Sequence, residues 1–279
     1  VAQERRSAVR PVAAAVALGF IILTTGIARG QVPAAGAEGM SVTDVPLANG
    51  AVDRTLLLMP SGPPRAVLVM FSGGDGVLHI DPTGAIGISG NFLVRTRDLW
   101  VQQGFAVAIP DAPSDAAAGL QGRRLNRGYA DVIARVVAFV HAETQMPVWL
   151  VGTSAGTPAA AFGAAMLPHD AVAGLVLTSS VSRAVPDSPE TVFQANLKVI
   201  TAPTLILSNT HDECKSTPPS DGPRIKAALG RATPVEFQTV AGGTLSESTD
   251  PCDSYAYHGF YGIEPQVVQK ISDWILRHS

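Results

Sequence analysis

The sequence is poor in charge, and it has no long basic stretch beyond its extreme N-terminus. Charged residues make up 15% of the 279 residues, and the formal net charge is −3. A protein of this kind lacks the electrostatic footprint of nucleic-acid binding. Internal repeats are absent too, and the length suits one large domain. With 46% apolar residues and 27 glycines and 21 prolines spread along the chain, the composition indicates a globular, loop-rich protein.

The N-terminus differs from the rest of the chain. Arg5, Arg6 and Arg10 precede an apolar run over 12–28. This pattern predicts a secretory signal peptide over 1–30, with cleavage after Gly30 or as late as Ala37. No cysteine follows the run, which excludes a lipoprotein. We expect a periplasmic or secreted protein without stable membrane association; the alternative is an uncleaved segment that anchors the chain in the inner membrane.

The rest of the chain alternates apolar strands with helical stretches. A low-complexity linker is expected over 31–49, followed by one domain over 50–279. Strands are predicted over 54–59, 66–71, 105–109, 148–151, 172–177, 204–208 and 235–240. Helices are predicted over 94–103, 126–142, 157–167, 219–229 and 265–278. This order predicts an α/β fold with a mostly parallel central sheet and helices on both faces.

The segment 152–156, G-T-S-A-G, directly follows the apolar run 148–151 and directly precedes an alanine-rich stretch. The G-x-S-x-G pattern between a strand and a helix is typical of a nucleophile elbow, a sharp turn that exposes a serine hydroxyl. The motif alone is weak, since a chain of this composition contains it by chance with a probability of about 0.2. Its context makes Ser154 the candidate nucleophile.

An activated serine needs a histidine base, and the base needs an acid to orient it. In a fold of this type the acid follows a later strand and the histidine follows the acid. Among six histidines, His258 and His278 follow the candidate acid. His278 is the penultimate residue, on a helix expected to end at the surface, so His258 is the candidate base. Asp212, just past the strand 204–208, is the candidate acid, with Glu213 as the alternative. A metal site formed by His211, Asp212 and Cys214 is a weaker interpretation, because no partner motif follows.

The oxyanion formed during attack on a carbonyl needs hydrogen-bond donors. The backbone N–H of Ala155 is the first candidate. The second is expected in the glycine-rich segment after the strand 66–71, where Gly74 is the first choice and Asp75 the next. An ordinary tight turn is the alternative for this segment. It does not match the phosphate-loop pattern G-x-x-x-x-G-K-[ST].

Cys214 and Cys252 are the only cysteines. Together with a signal peptide they predict a disulfide, because exported proteins meet an oxidising compartment. Two free thiols are the alternative. The bond would join the loop of the candidate acid to the loop of the candidate base, which the catalytic arrangement requires independently.

From about residue 50 onward the sequence resembles the α/β-hydrolases. The resemblance rests on the elbow at 152–156, on the order Ser154, Asp212, His258, and on the loop with Gly74. It is also similar to exported bacterial members with H-D-x-C and C-x5-H-G-F segments, here 211–214 and 252–260. One departure is S-G-G at 72–74, where many lipase-like members have H-G-G. The resemblance implies a serine hydrolase, most simply a carboxylesterase, without metal or organic cofactor.

The implied substrate is a small-molecule or polymer ester. Only a short segment separates the strands at the usual insertion point, so no large cap domain is expected. The segments 114–127 and 182–196 are expected either to form the walls of an open pocket or to be solvated connectors. A peptidase, a thioesterase or a lactone hydrolase would use the same three residues. A non-catalytic binding protein with a hydrolase fold is the alternative from another class.

Overall fold

The computed structural model describes Val1, residues 39–246 and residues 250–279. Contacts divide the chain into two units, Val1–Pro33 and Ala34–Ser279, and every described helix and strand belongs to the second. Apart from Val1, the expected signal peptide (1–30) lies outside the described residues, as do both expected cleavage sites. Within the described residues, no helix combines the length and apolarity that a membrane span requires.

The centre of the domain is one eight-stranded sheet in the order β1-β2-β4-β3-β5-β6-β7-β8. Its strands are β1 Gly39–Pro46, β2 Val52–Met59, β3 Val67–Phe71, β4 Ala106–Pro110, β5 Val148–Thr153, β6 Gly174–Thr178, β7 Thr204–Asn209 and β8 Val235–Val240. β1 and β2 pair antiparallel with their neighbours, and every pair from β4 to β8 is parallel. The five inner strands from β4 to β7 are buried along their whole length, because both faces of the sheet are covered.

In the part of the chain that the structure describes, six helices cover the two faces. They are α1 Phe92–Arg95, α2 Arg97–Gln102, α3 Arg127–Thr144, α4 Gly156–Met166, α5 Gly222–Ala228 and α6 Glu264–Arg277. One apolar core lies between the sheet and α3, α4 and α5. The other lies between the sheet and α1, α2 and α6, and it contains Trp100, Trp149 and Trp274, all fully buried. The mostly parallel sheet with helices on both faces confirms the predicted fold class.

Two elements differ from the sequence prediction. Residues 39–46, expected in a linker, form the edge strand β1. The apolar pattern is weak there because an edge strand is held mainly by backbone pairing, here with β2. An exposed ion pair of Asp44 with Arg54, at 2.7 Å, also joins β1 to β2. The predicted helix 94–103 is two short helices that meet at Thr96, whose hydroxyl donates to the Phe92 carbonyl at 2.6 Å.

The parallel order fixes where a functional site can form. The carboxyl ends of β3, β5 and β7 lie at the same edge of the sheet, where sites of open α/β sheets collect. The chain between β6 and β7 contains only two short 3-10 turns, Val192–Ala195 and Leu197–Val199. As expected, this segment forms no large cap domain over that edge.

Candidate active site

Ser154 occupies a strained turn between β5 and α4. Its φ of 51° lies in the left-handed region, which costs free energy for a residue with a side chain. Both glycines of the turn are sterically required. A Cβ on Gly152 would lie 2.7 Å from the Gly156 carbonyl oxygen, and a Cβ on Gly156 would overlap the Phe71 backbone. The Ser154 N–H donates to the Thr178 carbonyl of β6 at 3.0 Å, which ties the turn to the sheet.

The structure brings the three predicted catalytic residues together. Ser154 Oγ lies 2.9 Å from His258 Nε2, and His258 Nδ1 lies 3.1 Å from Asp212 Oδ2. The side chains of His258 and Asp212 are 5% and 0% exposed. His258 belongs to a short 3-10 turn before α6, and its carbonyl accepts a hydrogen bond from the Ser179 hydroxyl at 2.7 Å.

Thr217 is a fourth member of this hydrogen-bonded chain. Its side-chain oxygen donates to Asp212 Oδ2 at 3.0 Å and lies 3.1 Å from His258 Nδ1. The Cys214 N–H donates to the other carboxylate oxygen of Asp212 at 2.9 Å. A buried carboxylate must be hydrogen-bonded, and these groups meet that requirement. Nothing in the sequence distinguishes Thr217, which is one polar residue among several in the segment after Cys214.

The glycine-rich loop after β3 lies against Ser154 at Gly73. A Cβ on Gly73 would be 2.9 Å from the Ser154 Cβ. Gly74 lines a cavity that opens beside Ser154, and its φ is +64°. Arg124, which is 3% exposed, donates from Nη2 to the Gly74 carbonyl at 2.7 Å. Burial lowers the pKa of the Arg124 guanidinium, although nearby Tyr129, Glu190 and Asp75 raise it.

Cys214 and Cys252 form the predicted disulfide. Cys214 is buried two residues after Asp212, whereas Cys252 is exposed and lines the cavity at Ser154. The bond therefore connects the loop of Asp212 to the loop that carries His258. Among the described residues, one group with metal-ligand spacing is Asp212, Cys214 and His258. The Cys214 sulfur is bonded to Cys252, so it cannot act as the thiolate ligand that such a site would need.

A cavity of about 250 Å³ opens beside Ser154 and His258. Its apolar wall consists of Val77, Leu78, Ile88 and Phe92. The segments 114–127 and 182–196, considered above as walls or connectors, contribute nothing to this lining. They contact each other instead, for example through the Gly122 N–H and the Glu190 carboxylate at 2.9 Å. The walls come from the chain after β3 and from 252–259. A larger cavity of about 370 Å³ lies elsewhere and contains none of the predicted site residues.

Asn91 also lines this cavity, and the sequence interpretation did not select it. It lies at the start of α1, where its Oδ1 accepts a hydrogen bond from the Leu93 N–H at 3.1 Å. An Asn before an apolar run is a recognised helix-start signal. That signal identifies the cap but not its position beside Ser154.

No protein-family model matches the chain, and no curated protein matches it. Solved structures do. The chain is similar to a dienelactone hydrolase from Anabaena variabilis, with 16% identity over 86% of this chain and 98% of that one, at a TM-score of 0.58. It is also similar to the Pyrococcus furiosus esterase Pf2001, with 8% identity, coverage of 86% and 91%, and a TM-score of 0.62.

A cold-adapted esterase from an Arctic intertidal metagenomic library matches with 15% identity, coverage of 86% and 92%, and a TM-score of 0.55. At such identities the likeness concerns the fold. The strand order, the helices on both faces and these neighbours agree: the chain has the α/β-hydrolase fold.

Proposed function

We propose that the protein is a serine hydrolase that cleaves carboxylic esters through an acyl-enzyme on Ser154. The observation that carries the proposal is the hydrogen-bonded chain from Ser154 Oγ through His258 to Asp212, with contacts of 2.9 and 3.1 Å. A neutral His258 that donates from Nδ1 to Asp212 accepts the serine proton at Nε2. This is the arrangement that a general base requires.

In the acylation step, Ser154 Oγ attacks the ester carbonyl carbon while His258 Nε2 takes the hydroxyl proton. The carbonyl electron pair moves onto oxygen and forms an oxyanion. When the intermediate collapses, the bond to the alcohol oxygen breaks and His258 returns the proton to the leaving alcohol. Water then attacks the acyl-enzyme by the same route. Asp212 holds the imidazole in orientation and stabilises its protonated form.

The oxyanion would be held by the N–H groups of Ala155 and Gly74. Within the described part of the chain, neither N–H donates a hydrogen bond to another residue. Both therefore remain available to a ligand. Such donors act in a partly dry site, where hydrogen bonds to a developing charge are strongest.

The cavity favours a small, uncharged acyl or alcohol group. Its volume of about 250 Å³ lies below the range of about 300–1,000 Å³ that is usual for drug-sized ligands. Its wall is largely apolar, and among the described residues the one carboxylate that lines it is that of the exposed Asp75. We therefore propose short-chain esters, with acetate or propionate esters preferred over long-chain ones.

Ser154→Ala tests the proposal. We expect turnover of p-nitrophenyl acetate to fall to background, because the acyl-enzyme cannot form. A fluorophosphonate probe should label the wild-type protein at Ser154 and leave the variant unlabelled. The matched control is Ser61→Ala, since Ser61 is exposed in a loop away from the cavity. Ester turnover that survives in Ser154→Ala would refute the mechanism, and a folded wild-type sample that takes no label would favour a non-catalytic binding protein.

Lactone hydrolysis is the second candidate, because the structural neighbours include the dienelactone hydrolase from Anabaena variabilis. The same three residues would open a lactone ring. Comparison of kcat/KM for p-nitrophenyl acetate, short thioesters, γ- and δ-lactones and aminoacyl amides would separate esterase, thioesterase, lactonase and peptidase activity.

We also propose that the protein is exported. The disulfide supports this, since such bonds persist in oxidising compartments. N-terminal sequencing of the mature protein from cell fractions would test it. Cleavage near Gly30 or Ala37 is expected, whereas an intact N-terminus in the membrane fraction would indicate an anchor.

A further inference from the structure

The side-chain amide of Asn91 has two different ends, and only one of them serves the fold. Its Oδ1 accepts the Leu93 N–H at 3.1 Å and so caps α1. This contact fixes which end of the amide is oxygen and which is nitrogen, because a backbone N–H can only donate. Within the described part of the chain, Nδ2 makes no hydrogen bond. Two donor hydrogens therefore have no protein partner.

The free end of the amide lies beside the nucleophile. The position that a Cβ on Gly73 would occupy is 3.1 Å from Asn91 Nδ2 and 2.9 Å from the Ser154 Cβ. The amide nitrogen and the nucleophile thus approach the same face of Gly73. Both Asn91 and Ser154 line the cavity of about 250 Å³. Nδ2 is therefore on the side of Ser154 where the glycine-rich loop lies.

The backbone around Asn91 is held in place before any ligand binds. Arg95 donates to the Gly90 carbonyl at 2.7 Å and to the Gly259 carbonyl at 2.6 Å. The Arg95 N–H also donates to the Asn91 carbonyl at 2.9 Å. A donor held in this way needs little reorganisation when charge develops, which is the condition for strong transition-state stabilisation.

We propose that Asn91 is a catalytic residue whose Nδ2–H donates a hydrogen bond to the oxyanion formed on Ser154, alongside the backbone N–H groups. The proposal rests on the serine hydrolase function above. The donor stabilises the negative oxygen of the tetrahedral intermediate more than it stabilises the neutral carbonyl of the substrate. Its loss should therefore lower kcat more than it raises KM.

Asn91→Ser is the decisive variant, because serine keeps an oxygen that can cap α1 but loses the amide donor. We expect kcat for p-nitrophenyl acetate to fall about 10²-fold, as for the loss of one oxyanion donor. Affinity for an alkyl trifluoromethyl ketone, which forms a comparable oxyanion on the serine, should fall by a similar factor. Asn91→Asp keeps the size of the side chain and the cap, and it should lose at least as much activity because it places a carboxylate beside the oxyanion.

Asn126→Ser is the matched control. Asn126 caps α3 through the same kind of contact, at 2.8 Å to the Tyr129 N–H, but it does not line the cavity at Ser154. This variant should keep wild-type kcat and inhibitor affinity. If Asn91 only caps a helix, both Asn→Ser variants will change melting temperature alone, and the proposal is overturned.

A kcat loss in Asn91→Ser without the parallel loss of inhibitor affinity would also overturn it. Fluorophosphonate labelling of the wild type separates failure of the serine mechanism from failure of the role proposed for Asn91. If the wild type is labelled at Ser154 and Asn91→Ser has unchanged kinetics, only the role of Asn91 is refuted. Absence of labelling refutes the serine mechanism and this role with it.

Discussion

Gly73→Ala should disable the site through a single added methyl group. The new Cβ would lie 2.9 Å from the Ser154 Cβ, 3.1 Å from Asn91 Nδ2 and 3.2 Å from the Thr153 carbonyl oxygen. Carbon atoms in good contact are about 3.5–4.0 Å apart. The first contact is therefore too short by more than half an ångström, and the neighbours must move.

The neighbours have little freedom to move, because Ser154 is held in a strained turn that is bonded to β6. Overpacking of this kind costs about 1–3 kcal/mol of folding free energy. The larger effect is on catalysis. A displacement of about 1 Å between a nucleophile and its surroundings can cost about 10²-fold in rate. We therefore expect kcat/KM for p-nitrophenyl acetate to fall about 10²-fold while the protein stays folded.

Gly62→Ala provides the control for the added methyl group. Gly62 is exposed, its φ is not in the left-handed region, and no atom lies within 4 Å of the new Cβ. This variant should match the wild type in kcat/KM and melting temperature. If Gly73→Ala also matches the wild type in both, the loop after β3 does not pack on Ser154 as described and the argument fails.

Three further changes test the disulfide, the hydrogen bonds of Asp212 and the buried carboxyl of Asp53 in β2. Replacing Cys214 and Cys252 together by Ala should lower the free energy of unfolding, measured in denaturant, by up to about 4 kcal/mol. A reductant should have no further effect on this variant. Equal stability of the variant and the wild type would contradict a stabilising role of the disulfide. Thr217→Val removes a hydrogen bond to a carboxylate, worth about 1.5–3 kcal/mol, and should lower stability and kcat, whereas Thr217→Ser should retain both. Burial raises the pKa of Asp53 from 3.8 to about 7. As pH rises, the unfolded chain therefore loses this proton before the folded protein does. The free energy of unfolding should consequently fall between about pH 4 and about pH 7. Asp53→Asn should remove that fall in a series of melting curves, and an unchanged slope would refute the assignment.

Most of the fold could be predicted because the inner strands are covered on both faces. Runs such as 66–71 and 148–151 are apolar throughout, and this is what the two apolar cores require. The edge of the sheet was less predictable. β1 is held by backbone pairing with β2, and backbone pairing leaves little trace in the side-chain pattern.

The site, too, contains residues that could be predicted from the sequence and residues that could not. Ser154, Asp212 and His258 were predictable because chemistry fixes their types and the fold fixes their order. Their catalytic roles stay predictions. Thr217 and Asn91 were not selected, because each acts at a position that only folding defines. Each is an ordinary polar residue in sequence, and what places it at the site is distant along the chain: His258 for Thr217, and Ser154 for Asn91.

The position of His258 is determined from two sides, and this constrains how the site can fail. On one side, the disulfide joins the chain before His258 to the chain after Asp212. On the other, Arg95 donates to the Gly259 carbonyl at 2.6 Å and pairs with Glu264 at 3.1 Å. Loss of either connection leaves the other in place, so each change alone should weaken the alignment of the imidazole rather than abolish it. Because each connection still restrains this loop when the other is lost, their combined loss should exceed the sum of the single effects.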